Sequence, residues 1–256
     1  AFGASLDLEG PWALVGAPGY AAPDAPLAAT GAVFAFERGA AGWTARGALG
    51  PGYAAPSDAF GASVCLAGGR ALVGVPGRDA EGSGADSGAA LLFARGPDPS
   101  GWSADGVLAP VAPQGGELFG ECVALSGSTA LVGAPDSAEG GAVYVLRAEA
   151  GASAWAQSAR LVASDGGQRY GAALALAKGA GAAGAPAKDL PGLSSAGGIY
   201  ALAGLDELPP LPYCSAGTSA QGCRAVLSSA GLPSASAPGG FTVLARGADG
   251  GALGTF

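Results

Sequence analysis

The 256-residue chain contains no histidine and no methionine, and only 12% of its residues are charged. Without histidine, Ser-His-Asp and Cys-His catalysis, histidine-ligated zinc and imidazole proton relays are excluded within this chain. A G-x-S-x-G elbow, a phosphate loop with its lysine and a dinucleotide fingerprint are also missing, so the expected protein is not an enzyme. The lack of methionine leads us to expect a processed protein or a piece of a longer one. No apolar run approaches the roughly 20 residues of a spanning helix, and no membrane span is expected. Lys and Arg number 12 against 20 acids, giving a net charge of −8, and they are scattered, which argues against nucleic acid as a partner.

What is present in quantity is 48 Gly, 19 Pro and 49% hydrophobic residues. The apolar residues fall in short runs bounded by Gly and Pro, the pattern of an all-β protein of many short strands. One stretch recurs: "FGASLDLEGPWALVGAP" from Phe2, "FGASVCLAGGRALVGVP" from Phe60, "FGECVALSGSTALVGAP" from Phe119 and "YGAALALAKGAGAAGAP" from Tyr170. The starts are 58, 59 and 51 residues apart, a period that signals a propeller or a stacked array. From the aromatic to the closing Pro the distance is 16 residues in every copy, as two strands joined by a tight turn require. From that Pro to the next Gly-led run it is 13, 12, 6 and 11, so this connection is a surface loop that tolerates insertion.

The third run is "GAVFAF", "GAALLF", "GAVYVL" or "GGIYAL", and in the first three copies Trp43, Trp102 or Trp155 follows ahead of a further short apolar stretch. Each repeat therefore reads as four antiparallel strands, one propeller blade. Gly3, Gly61, Gly120 and Gly171 follow the aromatic where the chain turns tightly or another backbone approaches. Gly16, Gly74, Gly133 and Gly184 stand two residues before the Pro, and Pro18, Pro76, Pro135 and Pro186 close the second strand. Phe2, Phe60, Phe119, Tyr170 and the three tryptophans are expected to pack between neighbouring sheets.

This pattern resembles the FG-GAP repeat of the integrin alpha-chain head and of many secreted bacterial proteins. The resemblance spans residues 2–204, with blades at about 2–59, 60–118, 119–169 and 170–204, and implies part of a seven-bladed disc. In the fourth copy Tyr170 replaces Phe, Ala183 replaces Val, and no Trp follows. The family often carries a calcium loop in the turn between its two motifs, and calcium needs six to eight oxygen ligands. The matching turns offer only Asp7 with Glu9, or Glu121 alone, so calcium is not expected there and no cofactor is assigned.

After the Pro-rich linker 205–212, "YCSAGTSAQGC" opens a segment, 213–256, that resembles the start of a small β module at the C-terminus of secreted bacterial proteins. Cys214 and Cys223 bracket eight residues, a loop suited to a disulfide, with two free thiols or a metal pair as the alternatives. Cys65 and Cys122 lie in first strands of adjacent blades, as a pair of buried small residues or, second, as an inter-blade disulfide.

The fold expectation is thus all-β: a propeller segment of four four-stranded blades and a partial second β domain. The expected function is non-catalytic binding or adhesion, the recognition of a protein or surface glycan by one loop face of a secreted protein outside the cell or at its surface. By resemblance that face comprises Gly19 to Thr30, Gly77 to Ser87 and Ala187 to Ala196, with the strand-four exits near Gly50 to Ala59. Its candidate binding acids are Asp79, Glu81, Asp86, Asp136 and Glu139, which solvation alone would also explain. The alternatives are an accessory propeller of a secreted enzyme whose catalytic domain lies elsewhere, and a structural spacer.

Overall fold

The computed structural model describes residues 1–22, 29–52, 55–80, 82, 84–96, 101–148, 154–205, 226–230 and 242–246. Cys214, Cys223 and Glu81 lie outside these residues. Among the described residues every regular element is a strand. Blade 1 is β1 (Ser5–Glu9), β2 (Trp12–Ala17), β3 (Ala32–Gly39) and β4 (Gly42–Leu49); blade 2 is β5 (Val64–Ala67), β6 (Arg70–Val75), β7 (Ala89–Arg95) and β8 (Trp102–Leu108). Blade 3 is β9 (Cys122–Ser126), β10 (Thr129–Ala134), β11 (Ala142–Ala148) and β12 (Trp155–Ala163), and blade 4 is β13 (Ala173–Ala177), β14 (Ala180–Ala185) and β15 (Gly198–Leu202). The strands of each blade pair in sequence order, all antiparallel. Blade 4 has three described strands, in keeping with the missing fourth Trp segment. The strands β16 (Val226–Ala230) and β17 (Thr242–Arg246) add to the outer edge of blade 3, with β16 parallel to β12.

A bulge recurs in the first three blades between β3 and β4, β7 and β8, and β11 and β12, at Ala35/Phe36, Leu92/Phe93 and Val145/Leu146. The extra residue each time sits on the outer strand, and such bulges increase local twist.

Three cores hold the blades together, one between each successive pair. The rule is constant. Each blade turns one face, the leading face, to the blade before it, and the opposite, trailing face to the blade after. Between blades 1 and 2, the trailing residues Trp12, Leu14, Val33 and Leu49 meet the leading residues Phe60, Val64, Leu66 and Phe93. Between blades 2 and 3, Leu72, Leu92 and Leu108 meet Phe119, Val123, Leu125 and Tyr144. Between blades 3 and 4, Leu131, Val143 and Leu161 meet Tyr170, Ala183, Tyr200 and Leu202. Among the described residues no comparable core joins blade 4 to blade 1.

Two aromatics depart from the expected inter-sheet packing. Phe60, Phe119 and Tyr170 are fully buried, but Phe2 is 63% exposed and rests on Phe34 of its own blade, with ring centroids 5.5 Å apart. Trp102 packs edge-on to Trp12 of blade 1 at 6.2 Å and Trp155 packs into the second core, whereas Trp43 is 47% exposed. Both belong to the leading face of blade 1, against which no blade among the described residues is packed.

Candidate functional site

The motif glycines build the frame on which the loops stand. A Cβ on Gly16, Gly74 or Gly133 would lie 2.1, 1.9 or 2.0 Å from the carbonyl oxygen of Gly61, Gly120 or Gly171 in the next blade. One on Gly31, Gly88 or Gly141 would meet the carbonyl of Phe60, Phe119 or Tyr170 at 2.2, 2.1 or 2.3 Å. Only glycine lets the aromatic-glycine backbone of one blade seat this closely on the preceding one. The same junction orders the loops. The β2–β3 connection of blade 1 accepts backbone hydrogen bonds from the segment entering blade 2, Ser57 to Ala29 at 3.1 Å and Phe60 to Thr30 at 3.0 Å. Gly116 to Ala85 and Leu118 to Asp86 repeat the arrangement between blades 2 and 3, and Tyr170 to Gly140 between blades 3 and 4. Ala59, Leu118 and Arg169, each just before the aromatic, take left-handed φ values of 59°, 54° and 58°. These bonds bring 29–31 beside 57–60 and 85–88 beside 116–119, so inter-strand loops and blade entries share one end of the molecule.

Ionic contacts brace that end. Glu117 is buried and accepts from Ser137 Oγ at 3.3 Å and Tyr144 OH at 3.2 Å. Arg160 completes the cluster, donating to Ser137 Oγ at 2.7 Å, Tyr144 OH at 3.1 Å and Glu139 at 2.8 Å. Arg169 spans Asp136 at 2.7 Å and Glu121 at 2.5 Å. In blade 4 the buried Lys188 pairs with Asp165 and donates to Tyr200 OH at 2.9 Å, while that hydroxyl donates to Asp165 at 2.7 Å. The two buried charges, Glu117 and Lys188, persist because each has an ionic or hydrogen-bonded partner.

The candidate binding acids divide accordingly. Asp136 and Glu139 are each held by an arginine. Asp79 accepts the Asp86 N–H at 2.8 Å, and both carboxylates lie close enough to buried Asp58 to act on it. Burial raises the Asp58 carboxyl above its ordinary range, and Asp79 and Asp86 push the same way against the Ala55 N–H and Arg78. The acids of the family's calcium turn are also occupied. Asp7 accepts from Leu66 N of blade 2 at 2.6 Å, Glu9 from Gly68 N at 2.8 Å, and Glu121 from Arg169. No group of three or more acids or cysteines among the described residues could hold a metal ion.

Cys65 and Cys122 are free thiols, which corrects the inter-blade disulfide considered above. They stand at different depths of their strands, and Cys65 Sγ instead accepts from Leu125 N of blade 3 at 3.3 Å. Burial, helped by Asp7, pushes the Cys65 thiol up to about 12, and burial raises Cys122 as well. Burial and neighbouring Glu117 push Tyr144 up to about 12, and burial raises Tyr200. All four side chains are driven toward their protonated forms, the opposite of nucleophile activation.

Sequence inspection missed Glu117, Arg160, Asp165, Lys188 and Tyr200. One signal was available: Asp58, Glu117 and Gln168 each stand two residues before the repeat aromatic. A polar side chain kept at a junction of buried strands marks a bracing contact.

A groove of about 560 Å3 opens on blade 4, along β13, β14 and the start of β15, lined by apolar side chains and backbone that include Leu174, Ala182, Gly184 and Ile199.

Comparison with known proteins addresses the repeat directly. Among solved structures, Sqt1 from Saccharomyces cerevisiae is similar at 11% identity and a TM-score of 0.36, over 61% of this chain and 34% of that one. The chain thus spans about a third of the length of that protein. No curated protein matches. The FG-GAP repeat family matches residues 43–93 and 102–146, which run from the outer strand of blade 1 through blade 2 and into blade 3.

Proposed function

We propose that this chain is a non-catalytic interaction module that works outside the cell and recognises a protein or a surface glycan through its loop end. The observation that carries this reading is the contrast at the blade junctions. The frame repeats with the same backbone bonds from blade to blade, while the loops it supports differ in length and composition. A rigid scaffold presenting variable loops is the arrangement by which binding surfaces diversify. The bracing pairs leave Asp86, Glu139 and the tips between them at the surface, so contacts there can change without unfolding the blades. The match to FG-GAP repeats supports an interaction role at the level of fold.

The test is a binding screen against extracellular proteins and immobilised glycans, repeated with residues 21–28 and 80–85 permuted in sequence. The expected outcome is loss of the captured ligand with unchanged circular dichroism and melting temperature. Retained binding after both permutations would refute the loop face. It would favour a spacer or an accessory role in a larger protein.

A further inference from the structure

Blades 3 and 4 carry a tyrosine at the same place in the third strand, Tyr144 and Tyr200, and each hydroxyl meets one acid and one base at the loop end. In blade 3 the base is Arg160, whose guanidinium stays charged and is no nucleophile. In blade 4 it is Lys188, whose amine becomes a nucleophile once it loses a proton. Two clusters that look alike as ionic braces therefore differ in the chemistry open to them.

The surroundings of Lys188 are shaped to take a buried amine. Lys188 is 7% exposed and Tyr200 is fully buried. The Lys188 backbone is fixed on both sides, its N–H donating to Ala185 at 3.2 Å and its carbonyl accepting from Gly197 at 3.0 Å. The side-chain stem runs past Gly198, where a Cβ would stand 2.7 Å from Lys188 Cδ. The other three copies have Ala32, Ala89 and Ala142 at that position, so the fourth copy departs from the repeat where an alanine would block the lysine. Across the site, Asp165 lies in the turn after β12. Two residues on, Gly167 leaves room for the Tyr200 hydroxyl, which is 3.0 Å from where a Cβ would stand.

Three groups thus meet in a geometry suited to condensation. Lys188 Nζ touches Asp165 Oδ2, one bond from the carboxyl carbon Cγ. Tyr200 OH accepts from Nζ at 2.9 Å and donates to Oδ1 at 2.7 Å. The hydroxyl can take a proton from the ammonium as it hands its own to the carboxylate, and burial favours its protonated form at the end of the exchange. The ion pair then becomes an amine beside a carboxylic acid, the neutral forms that burial favours. Fixing the two groups together supplies the effective concentration that the same condensation lacks between free molecules in water.

We propose that Lys188 and Asp165 join in an intramolecular amide bond. The Nζ lone pair attacks Cγ, the Nζ–Cγ bond forms, and the bond from Cγ to one carboxylate oxygen breaks. Two protons of the ammonium leave with that oxygen as one water, nothing is oxidised or reduced, and no co-reactant is needed. The Asp165 side chain keeps 30% exposure, which gives the water a way out. The link spans 23 positions of sequence and ties the exit of blade 3 to the β14–β15 loop of blade 4. It constrains the unfolded chain as any cross-link does, in the blade whose second strand is made of alanine and glycine alone. This inference is independent of the loop-end reading.

The experiment is mass spectrometry of the purified full chain, reduced and denatured, first intact and then after trypsin. The intact mass is expected below that of the sequence by one water. The digest should contain peptide 161–169 joined through Asp165 to a peptide in which Lys188 is uncleaved. Lys188→Arg keeps the positive charge but cannot form the amide, so its mass should equal that of its sequence. Tyr200→Phe removes the proton relay and should slow the bond by about a hundredfold, leaving chains at full mass. Circular dichroism checks that both variants fold, and the wild-type measurement decides without them. A folded wild-type chain at the full mass of its sequence overturns the proposal. So does a loss of water that persists in Lys188→Arg or that maps to peptide 161–169 alone, since either would be a succinimide at Asp165 and Gly166.

Discussion

Tyr170 fills the slot that Phe60 and Phe119 occupy in the preceding repeats, and all three rings are fully buried. Its ring stacks edge-on to Tyr200 at 5.0 Å, much as Phe119 meets Tyr144 at 5.1 Å. The hydroxyl is the difference. That of Tyr200 is held by Lys188 and Asp165, but that of Tyr170 has no hydrogen-bond partner among the described residues. A buried polar group left without a partner costs about 1–3 kcal/mol. Tyr170→Phe removes the hydroxyl and keeps the ring, so it should raise unfolding stability by about 1 kcal/mol or more. The check is a shift of the urea midpoint to higher concentration at unchanged slope. A fall in the midpoint would mean that the hydroxyl is satisfied, for example by an internal water.

At the scale of the element, the motif glycines separate two kinds of position that look identical in sequence. Gly74 faces the Gly120 carbonyl 1.9 Å from where a Cβ would stand, whereas Gly184 meets no atom closer than 3.2 Å, the Ala173 Cβ of its own sheet. Gly74→Ala must therefore push blades 2 and 3 apart and should cost on the order of 3 kcal/mol. Gly184→Ala should stay within about 0.5 kcal/mol in the monomer, as for a site away from such contacts. Thermal unfolding of the two variants side by side decides this, and equal losses would refute the assigned junction. The same pair shows what was legible beforehand. The strand pairs and their turns could be read because the aromatic, the glycines and the Pro act within one copy. The exposure of Phe2 and Trp43 could not, since each repeats the motif of its more buried counterparts, and only the packing shows that among the described residues no blade lies against that face. Glu117 with Arg160 was equally hidden, because the two are 43 positions apart and come to share Ser137 and Tyr144 only once blade 3 closes on the entry segment. The free state of Cys65 follows from a bond to Leu125 that the spacing of cysteines does not encode.

At the scale of the whole molecule, stability in a stacked array is a sum of blade terms and nearest-neighbour junctions. Among the described residues, blades 2 and 3 have two junctions each, and blades 1 and 4 have one. The strands reflect this. Every residue of β10 is buried, whereas β13 alternates between exposed and half-buried residues and β1 has no fully buried residue. Alanine and glycine make up all of β14, so blade 4 also contributes less apolar area per residue to its single junction. Local opening should thus begin at the ends, and amide hydrogen exchange should run fastest in β1 and β13–β15 and slowest in β6, β7, β10 and β11. Uniform protection across the four blades would instead mean that the chain opens as one unit.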